Sequence, residues 1–408
     1  MLGIVLSLAS PLFGYSVLTH EAIIDSVWDA NIKPLLLRRF PGATSEQLLL
    51  ARANAYGGCI VQDMGYYPFG SKLFSDLVHY VRSGDFVAAM LDQAQGIEEY
   101  AFALGALAHY AADNLGHPLA VNLAVPIEYP KLKAKFGNRV TYADSPAAHI
   151  KTEFGFDVLQ VSEGNYAPKA YHDFIGFQVP KSLLERSFLA TYSLKLSDVF
   201  QSVDLAIGTY RFTVGKLIPD ATRVAWQMKK EELLRVHPGL SRNLFVYNLS
   251  RAGYEKEWGD EYRRPGIGVR ILAILFRLIP KIGPFKGVDL KPPTSETARL
   301  FVQSFDRTVE VYRKFLADIR TGRLVLINRD LDTGKPTMPG EYHRADKTYA
   351  KLATMLVKEE HVSVDPKLRE NILAFYSKAG VPVEAERKDK EWRKALQAVS
   401  KLREQAPQ

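Results

Sequence analysis

The chain has 408 residues, 47% of them hydrophobic, enough for a large buried core and for two or three domains. Its one cysteine, Cys59, excludes an intrachain disulfide. The net charge of +8 is unevenly spread: residues 1–160 hold 11 Lys+Arg against 15 Asp+Glu, and the remainder 42 against 30. The basic remainder favours an anionic partner, a phospholipid surface or nucleic acid, or else is a solvated surface.

In chain order, Leu2 to Phe13 is an apolar run with Gly3, Ala9 and Gly14 around it, and residues 1–14 read as a secretory signal peptide, which would make the protein extracytoplasmic. The alternative is a first buried helix. Helical periodicity follows over Ile23 to Leu37, Ser45 to Asn54, Lys72 to Val81, Phe86 to Leu91 and Ile97 to Asp113, with Thr44-Ser45-Glu46-Gln47 as an N-cap and acidic first turn. The flanks of Cys59 predict a small buried residue without a catalytic role. Gly116 and Pro118 flank His117, and a residue before proline disfavours the α conformation, so the fifth helix is predicted to end near Asn114, with His117 just past it. Helix returns from Phe188 to Leu234 and from Ser295 to Ile319, the latter with Phe301, Phe305, Val309, Tyr312 and Leu316 on one side. Arg323 to Asn328 is the best strand signal, followed by Asp332-Thr333-Gly334 as a turn. From Glu384, Trp392, Leu396, Val399 and Leu402 form the apolar stripe of a charged helix.

These elements predict an all-α, multihelical protein. His237-Pro238-Gly239 and Arg263-Arg264-Pro265-Gly266 punctuate the middle. The expected division is therefore a catalytic domain over 15–235 and a mainly helical basic region over 236–408. No repeat or low-complexity tract is present, and the second half lacks the regularly spaced alternating strands of a β-sandwich.

Five of the nine histidines (His20, His79, His109, His117 and His149) lie in the first 149 residues. His109, Asp113 and His117 follow one another at four-residue steps, and His149 and Glu153 repeat the step. On a helix of 3.6 residues per turn such side chains lie one above the other and converge on one ion. Imidazole with carboxylate suits Zn²⁺. His172, His237, His343 and His361 stand apart and read as ordinary.

With their order, these residues resemble the zinc-dependent phospholipase C and S1/P1 nuclease superfamily, whose trinuclear zinc site uses the mature N-terminus, five histidines and three carboxylates. Tyr15, His20, Asp63, His79, His109, Asp113, His117, His149 and Glu153 stand in the family's sequence order, within roughly residues 15 to 160. The resemblance implies two to three zinc ions. Asp63, also the implied catalytic carboxylate, would hold the first with His79, His109 and Asp113. His117, His149 and Glu153 would hold the second, and His20, a bridging Asp113 and the amino and carbonyl groups of Tyr15 the third. Cleavage after Gly14 would expose that amine. Such a pocket attracts a phosphodiester and makes bound water acidic enough to act as nucleophile. This chain departs from the pattern in two places. Asp113 and His117 are closer together than in characterised relatives, and Met64 stands where a phospholipase has an aromatic that helps hold choline. Tyr66, Tyr67 and Phe69 either replace that aromatic by cation–π contact or pack the core.

The implied activity is phospholipase C-type hydrolysis of phospholipids to diacylglycerol and a phosphorylated head group. The alternatives are an S1/P1-type single-strand nuclease, with nucleic acid as partner, and a non-catalytic zinc-stabilised domain that docks on membranes. Glu153 favours the phospholipases, which use Glu there where the nucleases use Asp. Residues 266–286, with Arg270 and Arg277 seven apart among apolar residues, are too short to span a bilayer. They read as an interfacial helix in peripheral membrane contact or as a core helix.

Overall fold

The computed structural model describes residues 16–162, 177–214, 231, 292–358, 364–378 and 390–404. The leader 1–14, Tyr15, His172, His237, His361 and the segment 266–286 lie outside the described residues. Among those described the architecture is all-α, with no strand.

The first helices are α1 (Val17–Val27), a π-turn (Trp28–Ile32) and α2 (Lys33–Arg39), then α3 (Ser45–Gly58), a 3₁₀ turn (Val61–Tyr66), α4 (Lys72–Tyr80) and α5 (Ser83–Gln93). Next come α6 (Ile97–Gly116), a second π-turn (His117–Val121), α7 (Asn122–Glu128), α8 (Pro130–Phe136) and α9 (Pro146–Ser162). The N-cap expected before α3 forms as a capping box. Thr44 Oγ1 accepts from Gln47 N, and Gln47 Oε1 from Thr44 N.

The centre of the molecule is α6. Its sequence is alanine-rich and apolar on all sides, so it is buried from Tyr100 through Asp113, as a helix without a polar face must be. It packs on α3 with backbones nearly touching. A Cβ on Gly105 would lie 2.1 Å from the Ala55 carbonyl oxygen, and one on Gly58 2.0 Å from that of Phe102. Only glycine permits this approach.

After α9 come α10 (Lys181–Tyr192), α11 (Leu196–Val199), α12 (Val203–Phe212), α13 (Ser295–Arg320), α14 (His343–Lys358), α15 (Pro366–Lys378) and α16 (Lys390–Glu404). As the periodicity predicted, α13 buries Phe301, Val309, Tyr312 and Leu316. It buries them against the first half of the chain: Tyr312 Oη donates to Leu104 O of α6 at 2.8 Å, and Phe301 stacks on Phe156 of α9 at 4.7 Å. One hydrophobic core therefore runs from Val17 to Leu402. The division expected near residue 235 is not a boundary of that core, because the apolar stripe of α13 has its complement on α6 and α9 rather than in the second half.

Three local expectations are corrected. Residues 323–328 are extended but pair with no strand among the described residues, and Val325 and Ile327 are exposed. The segment is held instead by hydrogen bonds to α5 and α6. In α16, Val399 and Leu402 are buried as expected, together with Ala395 and Ala398, but Leu396 is exposed, so the buried face is offset towards the alanines; the side chain of Trp392 lies outside those described. Finally, α6 does not end near Asn114. It continues to Gly116, His117 is itself in the α conformation (φ −60°, ψ −60°), and its N–H bonds to Asp113 O. The wider π-turn that follows takes in Pro118, so the ring and its missing N–H fall where the helical ladder is already loosened.

Candidate metal centre

His20 lies on α1, Asp63 on the 3₁₀ turn, His79 on α4, His109 and Asp113 on α6, His117 at the α6–π junction, and His149 and Glu153 on α9. The structure brings these eight side chains together, each of them 5% exposed or less. The continuation of α6 makes the short Asp113–His117 interval productive. One helical turn apart, the two side chains share a face, and Asp113 Oδ2 lies 3.7 Å from His117 Nε2.

Asp113 is the hub. Its carboxylate lies 3.5 Å from His20 Nε2, 3.4 Å from His79 Nε2 and 3.0 Å from His109 Nε2. Asp63 Oδ1 is likewise 3.4 Å from His79 Nε2. His20 stacks on His109 with ring centroids 4.5 Å apart.

The outer nitrogens fix the tautomers. His79 Nδ1 meets Ser75 O at 2.8 Å and His109 Nδ1 meets Cys59 O at 3.0 Å. A carbonyl oxygen only accepts, so each Nδ1 carries its proton and each neutral ring offers a bare Nε2. Those two Nε2 atoms face each other at 3.3 Å with Asp63 and Asp113 beside them. Lone pairs of like sign are thus aimed at one another, and both oxygens of Asp63 and of Asp113 lack a hydrogen-bond partner among the described residues. A buried arrangement of this kind requires a cation, which is a proton on His79 when no metal is bound and which a metal ion held by the same atoms could replace.

The same logic holds at the other end. Asn122 Nδ2 donates to Asp332 O at 2.8 Å, which turns its Oδ1 towards His149 Nε2 at 2.7 Å. His149 therefore carries its proton on Nε2 and presents a bare Nδ1, 2.8 Å from Glu153 Oε1. His117 Nδ1 lies 3.7 Å from Glu153 Oε1. The donor set of borderline imidazole nitrogens and hard carboxylate oxygens, within reach of one another, fits zinc.

Mutual influence spreads the proton affinities. Burial holds His20 and His149 well below the usual imidazole value. His79 is pushed up to about 10, because burial is outweighed by its contacts with Asp113 and Asp63. His117 is also raised, burial again losing, here to Asp113. Burial, aided by the charge of Asp113, raises Glu153 well above the carboxylate range. Burial works against Asp113, yet His109 and His117 hold it well below that range.

Helix α1 is pinned so that His20 reaches this centre. Asp157 of α9 accepts from Leu18 N at 3.0 Å, Thr19 N at 3.0 Å and Thr19 Oγ1 at 2.5 Å, which places a carboxylate on the first-turn amides of α1.

Asp332 is the residue that sequence reading missed. It lies between α13 and α14 and is 3% exposed, with Oδ1 3.8 Å from His117 Nδ1. Together with His117 and His149 it forms a cluster whose candidate ligand atoms lie within 4.8 Å of one another. Its turn signal was legible; its place beside histidines some two hundred residues upstream was not. Among the nearby aromatics, Tyr66 and Tyr67 are buried in the packing, whereas Phe69 is half exposed with φ +62°. Cys59 is fully buried, with its thiol donating to Tyr56 O.

Residues 19–201 match the family model described as zinc dependent phospholipase C, and the chain carries a domain of that family. No curated protein and no solved structure matches it significantly.

Proposed function

We propose that this chain hydrolyses phospholipids at the glycerol side of the phosphate, releasing diacylglycerol and a phosphorylated head group. The observation that carries the reading is the pair of bare Nε2 atoms on His79 and His109, 3.3 Å apart and flanked by Asp63 and Asp113. When bound, zinc would neutralise charge developing on the phosphate and lower the pKa of water for in-line attack.

The chain's own residues supply the rest. His79 and His109 are oriented by the carbonyls of Ser75 and Cys59, so their rings cannot turn away. Burial strengthens each electrostatic contact and excludes bulk water from the hub at Asp113. Asp63, whose Oδ1 lies 3.4 Å from His79 Nε2, would take up the proton of the attacking water.

The deciding experiment is a paired assay of purified full-length protein on phosphatidylcholine and on single-stranded DNA, with zinc content measured on the same sample. Release of diacylglycerol and phosphocholine with at least two zinc equivalents is expected. Cleavage of DNA alone would move the protein to the nuclease branch, and less than one zinc equivalent would remove the metal reading. We also propose, from the apolar leader, that the protein acts outside the cytoplasm, which fractionation of expressing cells would test.

A further inference from the structure

The family match ends at residue 201, yet the metal centre is faced by a carboxylate from far beyond it. Asp332 Oδ2 accepts a hydrogen bond from Tyr342 Oη. Its Oδ1 has no hydrogen-bond partner among the described residues and is turned to His117 Nδ1, which has none either. Leaving one carboxylate oxygen bare in the interior is costly unless a cation meets it.

This placement is built by many contacts. Asn328 bonds through Oδ1 to Asp85 N at 3.0 Å and through Nδ2 to Asp85 Oδ2 at 3.1 Å. Tyr110 Oη donates to Ile327 O at 2.7 Å and Leu331 N to His79 O at 3.1 Å. Asp330 Oδ1 then accepts from Asp332 N at 2.9 Å and shapes the turn. Gly334, at φ +71°, closes the turn so near α6 that a Cβ there would lie 2.5 Å from Asn114 O. Through Asn122, one carboxamide holds both Asp332, by its backbone, and His149, by its ring.

We infer that Asp332 is a fourth protein ligand of the second metal position, beside His117, His149 and Glu153, delivered by the C-terminal half of the chain. The inference rests on the zinc reading above. Four protein donors are the number that a closed tetrahedral zinc site takes. The second half of this chain is then part of the metal centre.

The test uses full-length protein stripped of metal and reloaded. After dialysis against a competing chelator, Asp332→Asn and Asp332→Ala should retain one zinc equivalent fewer than wild type, or bind that equivalent roughly tenfold or more weakly. The rise in Tm on adding zinc should shrink in both, while their zinc-free Tm stays near that of wild type. Unchanged zinc count and affinity would overturn the inference, as would a lowered zinc-free Tm with unchanged zinc count, which assigns Asp332 to loop packing. Hydrogen exchange on wild-type protein needs no variant to fold: zinc should slow the amides of 331–334, and no change there also overturns it. Wild-type protein with less than one equivalent would instead sink the zinc reading itself.

Discussion

Around Asp113 the donors come from α1, the 3₁₀ turn, α4 and α6, all within the first 113 residues, whereas the end of the centre at His117 draws on α9 and on a loop 210 residues beyond Asn122. The first region is positioned by helical pitch and by close packing of helices, as where α3 and α6 touch through Gly58 and Gly105. The second region is positioned by polar contacts, chiefly Asn328 with Asp85 and Asn122 with Asp332 and His149. A packed helix pair resists displacement as a unit. A loop held by hydrogen bonds worth about 1 kcal/mol each yields one contact at a time. The comparison predicts that damage near Asp113 is global and damage near Asp332 graded.

The sharpest test is Asp113→Asn, because an amide cannot replace the charge at the hub of four imidazoles. Phosphodiesterase activity should fall by on the order of 10²–10³ or more, against no comparable loss for His172→Ala, which stands outside the sequence spacing of the candidate ligands. Equal activities of the two variants would show that Asp113 is not the hub.

Metal removal comes next. Zinc held only by the folded protein, at a thousandfold excess over Kd, stabilises it by about 4 kcal/mol, so chelation should lower Tm by several degrees and zinc should restore it. A melting curve indifferent to both treatments would contradict a buried zinc centre.

Gly105→Val probes the packed region alone. Its Cβ would meet the Ala55 carbonyl at 2.1 Å, a clash with backbone that costs about 3 kcal/mol, read as a lower urea midpoint. Gly322→Ala, at φ +68° with nothing within 4 Å of the new Cβ, carries only backbone strain of about 1 kcal/mol. If the two cost the same, the close approach of α3 and α6 is not what stabilises this region.

Asp157 gives a pH signature. Its hydrogen bonds to α1 lower its pKa, but burial outweighs them and raises it from 3.8 to about 6. Between those values the folded chain binds the proton more tightly than the unfolded one, so this contribution is fully present below pH 4 and lost as pH rises through 6. The loss amounts to about 3 kcal/mol at 1.36 kcal/mol per unit. Stability of wild type relative to Asp157→Asn should therefore fall by about that amount from pH 4 to pH 7 in chemical denaturation. A constant difference would place the Asp157 pKa near its unfolded value.

The smallest effect is expected from Asn328→Ala, which removes both contacts with Asp85 and should cost about 1–2 kcal/mol. Zinc bound near Asp113 should be retained. Loss of all bound zinc in this variant would mean that the loop and the packed helices do not behave separately.

The sequence by itself determined the helical class and most of the cluster. Glycine-free apolar stripes at helical period specified α13, and the capping residues Thr44 and Gln47 marked the start of α3, because these signals act within a few residues of chain. Likewise His109, Asp113, His117, and His149 with Glu153, declare their common face through spacing of one turn. Tertiary structure decided what spacing cannot encode. Pro118 argued for a helix end at Asn114, but the π-turn lets α6 run on and turn His117 inward, a choice settled by packing around the proline. The extended 323–328 segment looked like a strand and was given its partners by α5 and α6 instead. Asp332 read as a turn residue, since nothing local records that its neighbours in space are His117 and His149. Contacts of that separation arise only when the apolar face of α13 finds its complement on α6 and α9 and carries the loop behind it to the metal centre.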